Sequence, residues 1–201
     1  FNRRIHLKEN KIYVATTKGI IVYDYVQNPT RLVKRKTLLK TIEVLDFDFD
    51  NQNRIWVGTY QKGLFVIDNE NVQKIKLYDE RIKTYTIRAL KFDKNNKVLI
   101  SLEGSGLIIM DKGFKVLNKL EYDPNSLNSL SQNSIYEIFV DDDNFYWLGL
   151  REVGVDLIYP RDNPFKNISY VPYKLNSIYN NNIRSIYYEK GGNVWFGTEN
   201  G

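Results

Sequence analysis

One pattern limits this chain more than any other. A hexapeptide centred on an aromatic or leucine anchor returns five times at nearly constant spacing. Arg54-Ile55-Trp56-Val57-Gly58-Thr59 recurs as Asn193-Val194-Trp195-Phe196-Gly197-Thr198, and Phe145-Tyr146-Trp147-Leu148-Gly149-Leu150 is a variant. Lys11-Ile12-Tyr13-Val14-Ala15-Thr16 and Lys97-Val98-Leu99-Ile100-Ser101-Leu102 are weaker copies. The anchors at 13, 56, 99, 147 and 195 stand 43, 43, 48 and 48 residues apart. Self-similarity at such a period marks a repeat architecture, in which each unit buries its apolar surface against the next.

Each repeat reads as strands only. The anchor strand leads through a Gly-containing turn into a second apolar run, as in Lys62-Gly63-Leu64-Phe65-Val66-Ile67-Asp68, Ser105-Gly106-Leu107-Ile108-Ile109-Met110-Asp111 and Lys18-Gly19-Ile20-Ile21-Val22-Tyr23-Asp24. Two such runs joined by a short turn predict a β-hairpin. The fourth copy keeps Gly154-Val155 but has Tyr159 where the others have Asp. An acidic residue stands six positions before the anchor in four of the five copies (Asp50, Asp93, Asp141, Glu189), followed by turn formers such as Asn51-Gln52-Asn53. A further strand precedes that acid, and another follows the hairpin, as in Val72–Tyr78 and Lys115–Leu120. Four short antiparallel strands per unit define an all-β protein of β-propeller type. Sandwiches and barrels need no fixed period. The expected blades are about 1–43, 44–86, 87–134 and 135–182, with residues 183–201 forming half of a fifth. The longer later spacing falls in the link into the inner strand, where Leu127-Asn128-Ser129-Leu130 matches Leu175-Asn176-Ser177-Ile178. The anchors should fill the wedge between blades, the Gly after each should let backbones approach, and the turn Gly should supply φ > 0.

Composition narrows the chemistry. Aromatic residues reach 14%, with 15 Tyr, 10 Phe and 3 Trp, which suits strands and inter-blade packing. There is no Cys and a single His, His6, so thiolate sites, His-based metal clusters and Ser-His-Asp triads lack parts. No cofactor and no metal are expected: Asp141-Asp142-Asp143 sits in a short loop and reads as a solvated turn rather than a calcium site. The net charge of +5 is scattered, and the densest basic run, Lys34-Arg35-Lys36, reads as a solvated strand. That argues against nucleic acid as a partner. No apolar run approaches the ~20 residues that cross a bilayer, so no membrane contact is expected, and the opening residues do not read as a signal peptide. His6 has no evident partner. Asn167-Ile168-Ser169 fits a glycosylation sequon, a weak pattern. Asp24, Asp68 and Asp111 recur at one repeat position and read as turn or cap residues.

The string Tyr122-Asp123-Pro124-Asn125-Ser126-Leu127-Asn128-Ser129-Leu130-Ser131-Gln132-Asn133-Ser134-Ile135-Tyr136, the Trp-Val-Gly-Thr hairpins and the Trp195-Phe196-Gly197-Thr198-Glu199-Asn200-Gly201 ending resemble the two-component regulator propeller repeats. These repeats build periplasmic sensor regions of hybrid two-component systems, mostly of Bacteroides-type gut bacteria. The resemblance spans the whole chain. It implies a periplasmic input domain of a sensor histidine kinase that detects a polysaccharide breakdown product. It implies no catalytic residue, because no kinase motif occurs in the sequence. In that family the sensor region is much longer, with two seven-bladed propellers, so the chain is expected to be part of a longer protein. By itself it is expected to form an open arc that associates through exposed end blades.

Counting strand reversals places the link into the inner strand and the turn of the central hairpin on one face. Tyr60, Gln61 and Lys62, Glu103 to Ser105, Arg151 to Val153, and Glu199 and Asn200 fall there, with Arg88, Tyr136 and Arg184 at the start of the inner strands. A channel mouth is the default ligand site of such a fold. Sugars want aromatic faces and forked donors. The candidate ligand-binding residues are therefore Tyr60, Arg88, Tyr136, Arg151 and Arg184. Against this stand plainer roles: Arg88 and Arg184 bridging neighbouring blades, Tyr136 packing, and Arg151 paired with Glu152 in solvent. An oligosaccharide-binding sensor module is the leading expectation. A scaffold for protein interaction or dimerisation is the alternative, and a propeller enzyme is weakly supported.

Overall fold

The computed structural model describes residues 4–77, 86–126, 128–159, 170, 172, 173, 175, 177–189 and 193–199. They contain seventeen strands and no helix. The first sheet joins β1 (Ile5–Lys8), β2 (Lys11–Thr16), β3 (Gly19–Gln27) and β4 (Thr30–Leu38) in that order. The second joins β5 (Val44–Phe49), β6 (Ile55–Thr59), β7 (Leu64–Asp68) and β8 (Asn71–Ile75). The third joins β9 (Ile87–Phe92), β10 (Val98–Leu102), β11 (Gly106–Met110) and β12 (Val116–Leu120). The fourth shows β13 (Ile135–Val140), β14 (Tyr146–Leu150) and β15 (Val155–Ile158), and residues 160–169 that follow lie outside the described set. The last pair is β16 (Ile183–Tyr188) with β17 (Val194–Thr198). Every pairing among the described residues is antiparallel between chain neighbours, and each four-stranded sheet is a propeller blade.

The turns explain why the strands stop where they do. Asp50 Oδ1 accepts the N–H groups of Gln52 and Arg54, both at 2.9 Å. Asp93 does the same for Asn95 and Lys97, and Asp141 for Asp143 and Phe145. The residue three places on carries a left-handed backbone: Asn53, Asn96 and Asn144 have φ of 64°, 57° and 66°. Asparagine tolerates that region and aspartate mimics a backbone turn with its side chain. The second oxygen of the acid then takes the anchor: Trp56 Nε1 donates to Asp50 at 3.0 Å and Trp147 Nε1 to Asp141 at 2.8 Å. Where the anchor is Leu99 and its side chain has no N–H, the spare oxygen of Asp93 accepts Tyr146 O–H from the following blade at 2.8 Å. Asp111 shows the same pattern between β11 and β12, accepting from Gly113 and Lys115.

The chain divides into two compact units, Phe1–Tyr122 with Leu130–Pro160, and Asp123–Ser129 with Arg161–Gly201. In the first, the core lies between blades. Ala15 and Ile20 pack with Val44, Phe47 and Val57; Trp56 and Val66 with Leu90, Ile100 and Met110; Leu99 and Leu107 with Ile135, Ile138 and Tyr146. Trp56 is fully buried, edge-on to Phe92 at 5.5 Å and against Phe114 at 5.2 Å. A Cβ on Gly58 would lie 2.6 Å from Cγ2 of Ile87, so the glycine after the anchor does admit the next inner strand. The turn glycines Gly19, Gly63, Gly106 and Gly154 all have φ between 78° and 106°. In the second unit β16 and β17 form a hairpin in which Trp195 is exposed and its Nε1 lies 3.4 Å from Glu189.

Candidate channel-mouth site

The site begins with a backbone irregularity. The inner strand β5 holds one residue more than β6 opposite it, between Val44 and Asp46, and β13 and β16 repeat this between Ile135 and Glu137 and between Ile183 and Ser185. In β9 the register shifts at the same place, around Arg88 and Ala89. A bulge re-aims a side chain out of the strand's alternation. The bulged positions carry Leu45, Arg88, Tyr136 and Arg184. Beside each of them the hairpin turn is tied back by one main-chain hydrogen bond: Tyr60 N–H to Glu43, Glu103 to Thr86, Arg151 to Ser134 and Glu199 to Asn182, each at 3.0 Å. The repeat therefore pairs two side chains at the same edge of each sheet: Leu45 with Tyr60, Arg88 with Glu103 and Tyr136 with Arg151 in the first unit, and, within the second, Arg184 with Glu199.

Arg88 Nη2 donates to Glu103 at 2.8 Å, and its guanidinium stands 5.0 Å from the Tyr136 ring centroid. The hydrogen bond to Glu103 holds the Arg88 pKa above its ordinary value against partial desolvation, with Tyr136 and Tyr60 adding smaller contributions. Arg88 Nε is shielded from solvent and meets no acceptor among the described residues. One layer deeper, Arg4, Asp46, Ala89 and Glu137 share a repeat position. Arg4 grips Asp46 with two bonds, 2.6 and 3.1 Å, and reaches Glu137 at 2.6 Å over the small Ala89. Asp46, 2% exposed, also accepts the N–H groups of Phe47 and Leu90. The third layer sets buried Asp48 between Lys91 at 3.2 Å and His6 at 3.7 Å. Burial pulls the His6 pKa below its usual value, so near neutral pH the imidazole is uncharged. The first two layers line an open cleft of about 230 Å³ formed by Arg4, Leu45, Asp46, Arg88, Tyr136 and Glu137.

Of the five residues singled out from sequence, the structure brings Arg88 and Tyr136 into this cavity, with Tyr60 on the rim close enough to act on the Arg88 charge. Among the described residues, the carboxylate partner of Arg88 belongs to its own blade, and its contact with the Tyr136 ring crosses to the next. Arg151 is more than half exposed and pairs with Glu152 at 3.2 Å. Arg184 repeats the Arg88 geometry, 2.7 Å from Glu199, within the second unit. His6 has a partner after all, in Asp48. Arg4, Asp46, Glu137 and the role of Glu103 were not singled out. The available signal was an acid in the inward register of an inner strand, as in Leu45-Asp46-Phe47-Asp48.

These features define a β-propeller with a polar, charge-paired channel mouth. The family model described as two component regulator propeller matches residues 180–200, so the resemblance read from the sequence is found again in that segment. No curated protein sequence matches the chain. Among solved structures, the chain is similar to the extracellular domain of a hybrid two component system from B. thetaiotaomicron, with TM-score 0.60 and 21% identity over 98% of this chain and 26% of that one. It is similar to the extracellular domain of a second such system of that organism, with TM-score 0.54 and 20% identity over 97% and 31%. A virginiamycin B lyase from Staphylococcus aureus shares the fold at TM-score 0.53 and 9% identity, over 97% and 62%. The chain spans about a quarter of the length of the first of these extracellular domains. At such identities the likeness establishes the propeller fold, and function has to be argued from the site.

Proposed function

We propose that this chain belongs to the extracytoplasmic, periplasmic input domain of a hybrid two-component histidine kinase and binds an oligosaccharide at its channel mouth, passing the signal across the membrane. The observation that carries this reading is the Arg88–Glu103 pair against Tyr136 in a cavity of about 230 Å³. An aromatic face beside forked donors and acceptors is the chemistry that sugars require. The family match and the extracellular neighbours supply the sensor context. Calorimetric titration of the chain with plant and host oligosaccharides tests it. At least one should bind, and Tyr136→Ala should abolish that binding while the circular dichroism of the strands persists. Heat from none of them, or binding indifferent to Tyr136→Ala, overturns the assignment.

A second reading, a scaffold that self-associates, draws on exposed apolar residues: Ile5 and Leu7 on β1, Phe139 on β13 and Val155 on β15, each at least 60% exposed. Sedimentation equilibrium separates the two. A monomer with glycan affinity removes the scaffold, and a dimer without it favours the scaffold.

A further inference from the structure

We infer that the channel mouth selects an uncharged sugar and discriminates against uronates and sulfated sugars; this rests on the sensor reading above. The argument is one of charge and hydrogen-bond capacity. Among the described residues lining the cavity there are two guanidinium groups, Arg4 and Arg88, and two carboxylates, Asp46 and Glu137. Arg4 is held by both of those carboxylates. Arg88 is held by a third, Glu103, on the rim. No cation of the cavity is left without its counter-charge. An entering carboxylate or sulfate would meet Glu103, Glu137 and Asp46, and could gain an arginine only by displacing one of them. Like charges brought into a partly desolvated site repel, and a displaced carboxylate loses its own bonds.

A hydroxyl meets the opposite situation. It donates and accepts at once, whereas a carboxylate only accepts. The cavity sets donors and acceptors side by side: the Arg88 guanidinium lines it, and Glu137 is an acceptor more than half exposed. Vicinal hydroxyls of a neutral ring satisfy Arg88 and Glu137 together while the ring's apolar face lies on Tyr136. The rim pair thereby acts as a charge filter: Glu103 occupies the arginine that an acidic sugar would need.

Oligogalacturonides and their fully methyl-esterified forms isolate this charge, and neutral arabino-, xylo-, manno- and galacto-oligosaccharides extend the series. Titrated against the full chain, neutral or esterified members should bind at least about tenfold more tightly than the free acids. Their affinity should change little between low and high salt, since no ion pair forms with the ligand. Glu103→Gln should narrow or invert the preference, because Arg88 is then unpaired. A free acid that binds as tightly as its ester, or a preference unmoved by Glu103→Gln, overturns the charge filter and leaves the sensor reading standing. No binding by any member, neutral or acidic, overturns the sensor reading itself.

Discussion

The second and fourth blades carry the same local device with different outcomes. In both, an aspartate caps the turn, a residue three places on adopts positive φ, and the indole six places on donates to the second carboxylate oxygen, at 3.0 Å for Trp56 and 2.8 Å for Trp147. Yet Trp56 is fully buried and Trp147 is 41% exposed. The difference lies in what covers them. Phe92 and Phe114 of the third blade close over Trp56, and Arg54 lies above its ring while holding Asp50. The hydrogen-bonded frame is thus a property of one blade, and the energy of the anchor is a property of two.

The sharpest test of this comparison removes each indole. Trp56→Ala should destabilise the chain by about 3–5 kcal/mol, the range for deleting a buried tryptophan, and Trp147→Ala by much less, both read from urea unfolding. Equal losses would mean that the frame, not the covering blade, supplies the stability. Next in size, Asp50→Asn removes a buried charged acceptor of four hydrogen bonds and should cost about 2 kcal/mol; Asp141→Asn, in its exposed setting, should cost less. The acid limb of the stability curve sharpens the point. Burial works to raise the Asp50 carboxyl, but the bonds from Trp56 and Arg54 outweigh it and leave the carboxyl below the usual range. A carboxylate depressed in the folded state adds stability above its unfolded pKa of about 4 and loses it as pH falls through the folded value. The gap between the parent and Asp50→Asn should therefore be constant above that pH and shrink on acidification.

A smaller effect separates the glycines. Gly58→Ala places a methyl 2.6 Å from Ile87 Cγ2 and should cost about 1–3 kcal/mol. Gly149→Ala meets Glu137 Cβ at 3.5 Å, an ordinary contact, and should be near neutral. The mildest probe keeps the buried indole in place. With Trp147 and Trp195 replaced by Phe, Trp56 should emit to the blue and resist acrylamide, and restoring Trp147 should add a readily quenched component. Quenching of Trp56 would show that the third blade does not stay closed over it.

The channel-mouth site divides along the same line. Arg88 and Tyr136 were legible because the repeat gives them one position and strand counting gives that position a face. The bulge that aims them inward was not, since no residue type at 45, 88, 136 or 184 demands it. Arg4 and Glu137 are 133 residues apart in the chain, and their bond depends on the inner strands lying round one axis. Arg151 shows the reverse: it shares the repeat with Glu103, yet its charge turns to Glu152 in solvent.

The sequence by itself determined the period, the strands, and the turns that follow the acid six places before each anchor. All of these close over a few residues, where spacing and backbone sterics leave little choice. Only the tertiary structure decided which anchors are dry, which carboxylate holds which arginine, and that the arginines of the mouth are already neutralised. Those outcomes depend on the distance between blades, which is set by the summed packing of whole sheets and which no single repeat encodes.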